Sequence, residues 1–241
     1  MRYFLSVLLH SDTTFGRGEG VAGLVDVEIE HDSAGCPFLG GRALKGLLRE
    51  SWYEIRDALV RGGNPALASL EPAAARLLGE SGADFDGSGG RASLLRVQAA
   101  TLPPALRDRL HRDVAAGTIT AAEVLDSLTT IRRQTALDAT RGAPEIGALR
   151  AMRVLLRDTR LLAGLDFTAA PEADDLALLA ACALGVRRAG TARNRGRGRV
   201  SLLLQAGEPA DYADSAFTLA QFKHFATLVK GSGHAAAEVH P

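Results

Sequence analysis

The chain has 241 residues, 46% of them apolar, and its 28 basic side chains are balanced by 28 acidic ones. That length supports one large domain, or two small ones, around a real core. No apolar run, the longest being Leu176 to Val186, nears the ~18 residues of a membrane span, so no membrane attachment is expected. Two cysteines, Cys36 and Cys182, cannot build a disulfide framework or a metal cage, and a cytoplasmic protein is expected.

The neutral total conceals a bias toward arginine, because only Lys45, Lys223 and Lys230 among the basic residues are lysines. Genomic composition can produce such a bias, so placement is what informs. Arginine's planar fork suits phosphate and stacks on bases. Between Arg187 and Arg199 six arginines occur with no acid, and between Arg132 and Arg160 seven face three acids. The first forty residues carry six acids against Arg2 and Arg17. A chain balanced overall yet basic in two segments is expected to grip a polyanion locally, without the blanket charge of a DNA-coating protein.

Residues 2 to 10 (RYFLSVLLH) lack a small-residue cleavage site and read as a first strand, not a signal peptide. A glycine-rich loop follows over 11 to 23. Its Gly18-x-Gly20-x-x-Gly23 has the spacing of a dinucleotide fingerprint, but no helix begins there to receive a pyrophosphate. The alternation in 24 to 30 (LVDVEIE) predicts a half-exposed strand presenting Asp26, Glu28 and Glu30 on one face. Leu44, Leu47, Leu48, Trp52, Ile55 and Leu59 recur at helical spacing, predicting a helix over 42–61 that Gly62-Gly63 stops. Residues 62 to 91 read as loop around a short helix near 71–78. A short strand is expected at 92–98 and helices at 104–115 and 120–130, the second capped by Thr120. Extended segments at 149–156 and 160–168 resemble a hairpin turning at Arg157-Asp158-Thr159. Pro171 opens a helix toward Gly190, with acids in its first turn and arginines in its last. A strand at 198–205, an amphipathic helix at 216–229 and a disordered tail from Gly231 close the chain.

With long insertions at 11–41 and 62–147 set aside, the order is βαββαβ. That is an α+β, ferredoxin-like or RRM-like palm in a single domain, and insertions of such length are where function is to be sought.

No GxxxxGK[ST], HExxH, serine nucleophile elbow or cysteine-histidine cluster is present, so nucleotide hydrolysis and zinc chemistry lack support. The segment from Gly190 to Val200 (GTARNRGRGRV) is more informative. Its glycines, Gly190, Gly196 and Gly198, let backbone approach a ligand, and Arg193, Asn194, Arg195 and Arg197 can hold phosphates. After Gly40-Gly41, the residues Arg42, Lys45 and Arg49 fall about one turn apart on one face of a helix start, a natural anion site.

Together these segments resemble the RAMP superfamily, the RNA-binding backbone subunits of CRISPR effector complexes, and most closely the type III backbone proteins. Pro37 to Arg49 (PFLGGRALKGLLR) is similar to the family's Pro-x-x-Pro-Gly-Ser-Ser-Leu-Lys-Gly-x-x-Arg, with Gly40 in place of the second proline and Arg42-Ala43 in place of the small polar pair. Thr130 to Arg150, with Arg132 and Arg133, resembles the arm called the thumb, and Gly190 to Val200 resembles the signature glycine-rich loop. The resemblance implies a palm with inserted fingers and thumb, a crRNA guide held along its backbone, complementary target RNA as a second partner, and other effector subunits, including copies or relatives of the chain, as neighbours.

In type III members that cut target RNA, an aspartate shortly before the proline-glycine motif supports metal-dependent cleavage. Asp26 falls at that place, about one residue nearer the lysine than the family pattern, which implies Mg2+ or another divalent cation as cofactor. Asp32 and Asp12 are rivals in the same insertion. Two alternatives stay open: a purely structural RNA-binding subunit, and a metal-independent guide-processing endoribonuclease using His10 as general acid or base.

Overall fold

The computed structural model describes residues 1–80, 92–135, 150–193, 196–208 and 214–234. In chain order the elements are β1 (Tyr3–Leu9), α1 (Gly41–Arg61), α2 (Leu67–Leu78), β2 (Leu95–Val97), α3 (Pro104–Ala115), α4 (Ala121–Leu128), β3 (Thr129–Gln134), β4 (Arg150–Leu155), β5 (Arg160–Phe167), α5 (Ala173–Gly185), β6 (Val200–Ala206) and α6 (Ala216–His234). Four strands form an antiparallel sheet in the order β2-β5-β1-β6, and β3 pairs with β4 in a separate two-stranded sheet. Taken in chain order, the first and third strands of this sheet (β1 and β5) are adjacent at its centre and the second and fourth (β2 and β6) lie at its edges, which is the ferredoxin-like arrangement, so the expected α+β class holds.

One face of that sheet carries the core. Leu5, Val7 and Leu9 of β1 alternate inward with Leu161, Ala163 and Leu165 of β5 and Leu202 and Leu204 of β6, as period-2 pleating requires. Against them lies α5, buried on nearly all sides from Asp175 to Ala183, which explains why its sequence is apolar all round. Asp175, 1% exposed, is held there by Arg76 of α2, which donates to Oδ1 at 2.9 Å.

Four expectations need correction. The strand that fills the second place in the βαββαβ pattern is β2, not 149–156. Both edges of β5 are taken, by β1 and β2, so β4 cannot form a hairpin with it and pairs with β3 instead. The stretch 62–147 is therefore not one insertion, because it supplies α2 and a strand of the main sheet. Second, 24–30 is no strand. Its residues bond alternately to 15–21 on one side, as in Glu30 N–H to Phe15 O, and to β4 on the other, as in Asp26 N–H to Ala151 O at 2.7 Å, so no continuous ladder forms. Glu28 lies buried, not on an exposed face. Third, α5 stops at Gly185, because 187–189 turn to pair with 198–200, which leaves Arg187 and Arg188 beyond its last turn. Fourth, α6 continues through the expected start of the tail at Gly231 to His234. Among the described residues no helix is long and apolar enough to cross a membrane.

Candidate nucleic-acid interface

Antiparallel pairing collects the expected site at one end of β1. The strand's exit (His10 to Thr14), the entries to β5 and β6 and the glycine-rich loop all meet there. The loop is a ribbon seated on that exit: Thr191 N–H bonds to Thr14 O at 2.9 Å, Ala189 N–H to Gly198 O at 2.8 Å and His10 N–H to Arg199 O at 2.8 Å. Gly190 and Gly198 have φ of +83° and +71°, and a Cβ on either would collide with a backbone oxygen, of Thr14 and of Ala189 respectively. Glycine at these two places is a packing requirement, not merely a source of flexibility.

Beside the loop opens a cleft of about 600 Å³, with His10, Asp12, Arg132, Arg157, Gly196 and Arg197 in its walls. Asp12 orients Arg132, accepting from its Nε at 3.0 Å and Nη2 at 2.7 Å, and takes the Arg157 N–H on its other oxygen. Asp12 is thereby a positioning group for arginine. Arg157 was not among the expected RNA-binding residues, although it lies in the basic block that the charge pattern singled out. His10 Nε2 contacts Ser201 Oγ at 2.9 Å on the β6 side of the cleft.

Outside the cleft, β4 leads into its residues Leu156 and Arg157. Arg132 and Arg133 of β3 stand opposite Met152 and Ala151, while Asp26 flanks β4 on its far side, its Oδ2 accepting the Ala151 N–H at 2.6 Å. Two strand spacings thus put Asp26 roughly 10 Å from the arginine backbone positions. Arg197 reaches the same spot, its Nη1 contacting Met152 Sδ. Asp26, Arg132, Arg133 and Arg197 therefore converge on two residues of one strand. The Asp26 side chain is exposed, and among the described residues its other oxygen has no partner.

The rival Asp32 is a structural staple. Its Oδ1 accepts the Ala34 and Cys36 N–H groups at 3.0 Å each, and its Oδ2 accepts from Arg107 at 3.2 Å and contacts His111 Nε2 at 2.8 Å. Burial alone would raise its pKa, but the His111, backbone and Arg107 hydrogen bonds outweigh it and hold the carboxyl below its ordinary value. Asp32, Cys36 and His111 bring ligand atoms within 4.8 Å of one another, a grouping the sequence spacing did not suggest. Burial and the Asp32 charge push the Cys36 thiol up to about 11, so it sits there as a neutral thiol.

The α1 trio separates. The Gly40 N–H at the helix start is already taken by the protein's own Glu30 carboxylate at 3.2 Å. Lys45 turns inward to Leu95 O at 2.8 Å and to Ser93 Oγ, and burial, then the nearby Arg49 charge, lowers its pKa. Arg49 bonds the Leu78 and Gly79 carbonyls that end α2. Arg42 is exposed and has no side-chain partner among the described residues. Lys45→Met is accordingly expected to destabilise the fold by about 1–3 kcal/mol, because the Leu95 carbonyl and the Ser93 hydroxyl lose a charged donor, the carbonyl keeping only its bond from Ser93 Oγ. Thermal denaturation checks this, with Arg42→Ala as the variant whose Tm stays at the wild-type value.

Arg193 forms a bidentate pair with Glu50 of α1, at 2.9 Å for each contact, and these hydrogen bonds hold the Glu50 carboxyl below its ordinary value against a smaller opposing effect of burial. Asn194 and Arg195 lie outside the described residues.

Residues 8–201 match the RAMP superfamily, a span running from β1 through the glycine-rich loop. The chain belongs to the RAMP superfamily. Among solved structures, a chain of a type III-B Cmr-β complex in its apo state has a TM-score of 0.55 at 13% identity, over 85% of this chain and 97% of that one. A chain of the Cmr-β complex bound to cognate target RNA gives 0.55 at 14%, with the same coverage. A chain of a type IV-B CRISPR complex gives 0.53 at 15%, over 89% of this RAMP protein and 96% of that chain. No curated protein matches the sequence closely enough to count as a relative.

Proposed function

We propose that this RAMP protein is a guide-RNA-binding backbone subunit of a type III CRISPR effector, and that Asp26 supports metal-dependent cleavage of complementary target RNA. The observation that carries the RNA-binding half is the arginine-walled cleft beside a glycine-rich loop whose two ends are bonded to the β1 exit, in a chain of this family. Guanidinium groups and backbone amides grip phosphates and fix register without reading sequence, which is left to pairing between guide and target. The similar chains from complexes with and without cognate target RNA support the assembly context, with other effector subunits as neighbours.

Cleavage rests on Asp26. One carboxylate oxygen is fixed by Ala151 and the other faces outward, which suits a cation completing its shell with water and RNA phosphate oxygens. Among the described residues Asp26 belongs to no group of three cation ligands, so water and RNA oxygens would complete most of that shell. A bound Mg2+ would supply charge stabilisation at the phosphate. In the reaction the 2′-oxygen bonds to the adjacent phosphorus as the P–O5′ bond breaks, the 2′-hydroxyl losing its proton and O5′ gaining one.

The test of the binding half is the salt dependence of guide affinity. With Arg132, Arg157 and Arg197 all changed to alanine, the slope of log K against log salt is expected to fall by about 2, at roughly 0.7 for each phosphate of a single strand that is no longer neutralised. An unchanged slope overturns direct binding of the guide backbone by this cleft.

A further inference from the structure

Arg153 of β4 is a buried guanidinium with three partners from three parts of the chain. Its Nε lies 3.0 Å from Glu28 Oε1 and 3.2 Å from Oε2. Its Nη1 donates to Asp126 Oδ1 at 2.7 Å, at the end of α4, and to Thr129 Oγ1 at 3.0 Å, at the start of β3. The side chains of Arg153 and Glu28 are 6% and 3% exposed. Backbone bonds reinforce the junction, with Arg153 N–H to Val27 O at 3.0 Å and Thr14 Oγ1 to Arg153 O at 3.0 Å. Charges withdrawn from water to this degree are rarely favourable for stability alone, and their best-attested use is to fix one arrangement among alternatives. What this arrangement fixes is specific. Glu28 is two residues from Asp26 along an irregular segment with no ladder of its own, so Asp26 takes its position from β4 through Ala151 and through the Glu28–Arg153 pair.

We infer that Glu28 and Arg153 are positioning residues for Asp26, locking the segment 26–28 to the β3–β4 sheet so that the carboxylate and Arg132 of the cleft move as one body. This inference rests on the cleavage reading above. When β3–β4 moves, Asp26 travels with it, so the carboxylate stays in register with RNA held by Arg132. Neither positioning residue touches substrate.

The experiment compares Glu28→Gln with Asp26→Asn in the reconstituted, guide-loaded complex. The amide preserves shape and removes the charge that holds Arg153. Glu28→Gln is expected to slow target cleavage about 10- to 100-fold, the effect of a misplacement of about 1 Å, and to raise the Mg2+ concentration needed for half-maximal rate. Guide affinity and the positions of the cuts stay as in wild type. In hydrogen exchange on the full chain, peptides covering 24–31 and 150–155 lose protection together while α1 and α5 do not. A merely structural role would instead weaken guide binding and protection everywhere. If Asp26→Asn is inactive while Glu28→Gln cuts at the wild-type rate with unaltered exchange, the positioning inference is overturned. If Asp26→Asn cuts at full rate, the cleavage reading fails, and joint loss of exchange protection in Glu28→Gln still decides the mechanical coupling. Should Glu28→Gln not fold, Asp126→Ala removes an exposed partner of the same guanidinium and carries the same measurements, with the same two outcomes.

Discussion

Replacing Asp26 by alanine in the reconstituted complex is expected to slow cleavage of complementary RNA by at least about 100-fold with magnesium present, the scale of losing a group that acts at the reacting phosphate. Guide binding and stability are expected to stay near wild type, because the side chain is exposed and its removal costs one hydrogen bond, from the Ala151 N–H, that water can replace. Asp26→Asn sharpens the result. The amide retains an acceptor for Ala151 and lacks the charge, so an equal loss in both variants assigns the effect to charge, not to the local backbone. Single-turnover cleavage of a labelled target measures it. Full-rate cutting by Asp26→Ala would leave a purely structural RNA-binding subunit, with the arginine cleft intact.

The second large effect is expected at Gly198. Alanine there must adopt φ near +71° and place its Cβ against the backbone carbonyl oxygen of Ala189, a residue whose N–H is itself bonded to Gly198 O, so relieving the clash disturbs the pairing of the ribbon. Left-handed strain and overpacking together cost about 2–5 kcal/mol, or a Tm lower by on the order of 10 °C for a chain of this size. Guide affinity should fall with it, because the ribbon that carries Arg197 is rebuilt. Gly196 is the control. It has a similar φ of +79°, yet a Cβ there meets nothing within 4 Å, so Gly196→Ala is expected to lower Tm by only a few degrees. Equal decreases at the two positions would mean that conformation alone, not the approach to Ala189, makes glycine necessary.

Much of the architecture was legible because it depends on local periodicity. The helix at 42–61 is present as Gly41–Arg61, since Leu44, Leu48, Trp52 and Leu59 all face the core, and Thr120 caps α4 with Glu123 returning the bond. What the sequence could not convey was pairing. Residues 150–155 and 160–167 are both strands, as their composition says, but their partners are chosen by edges that β1 and β2 occupy. Alternation in 24–30 looked like one exposed acidic face because a carboxylate buried against an arginine 125 residues away carries no local mark. The same limit applied to the site. The two basic blocks and Asp26 do meet at β4, whereas Lys45 and Arg49, equally basic in the sequence, are turned toward carbonyls of β2 and α2. Charge alone does not distinguish a cation that waits for phosphate from one that closes a helix end.

The placement of β1 at the centre of the main sheet has a consequence for how the chain is made. Its two neighbours are Arg160–Phe167 and Val200–Ala206, so this strand leaves the ribosome more than 150 residues ahead of either partner. At about 5–20 residues per second, a stretch containing Phe4, Leu5, Val7 and Leu9 is without its second neighbour for roughly 10–40 s of synthesis. During that interval its apolar edge must be sheltered by the growing chain or by a chaperone, and sheet closure, not helix formation, sets the pace of folding.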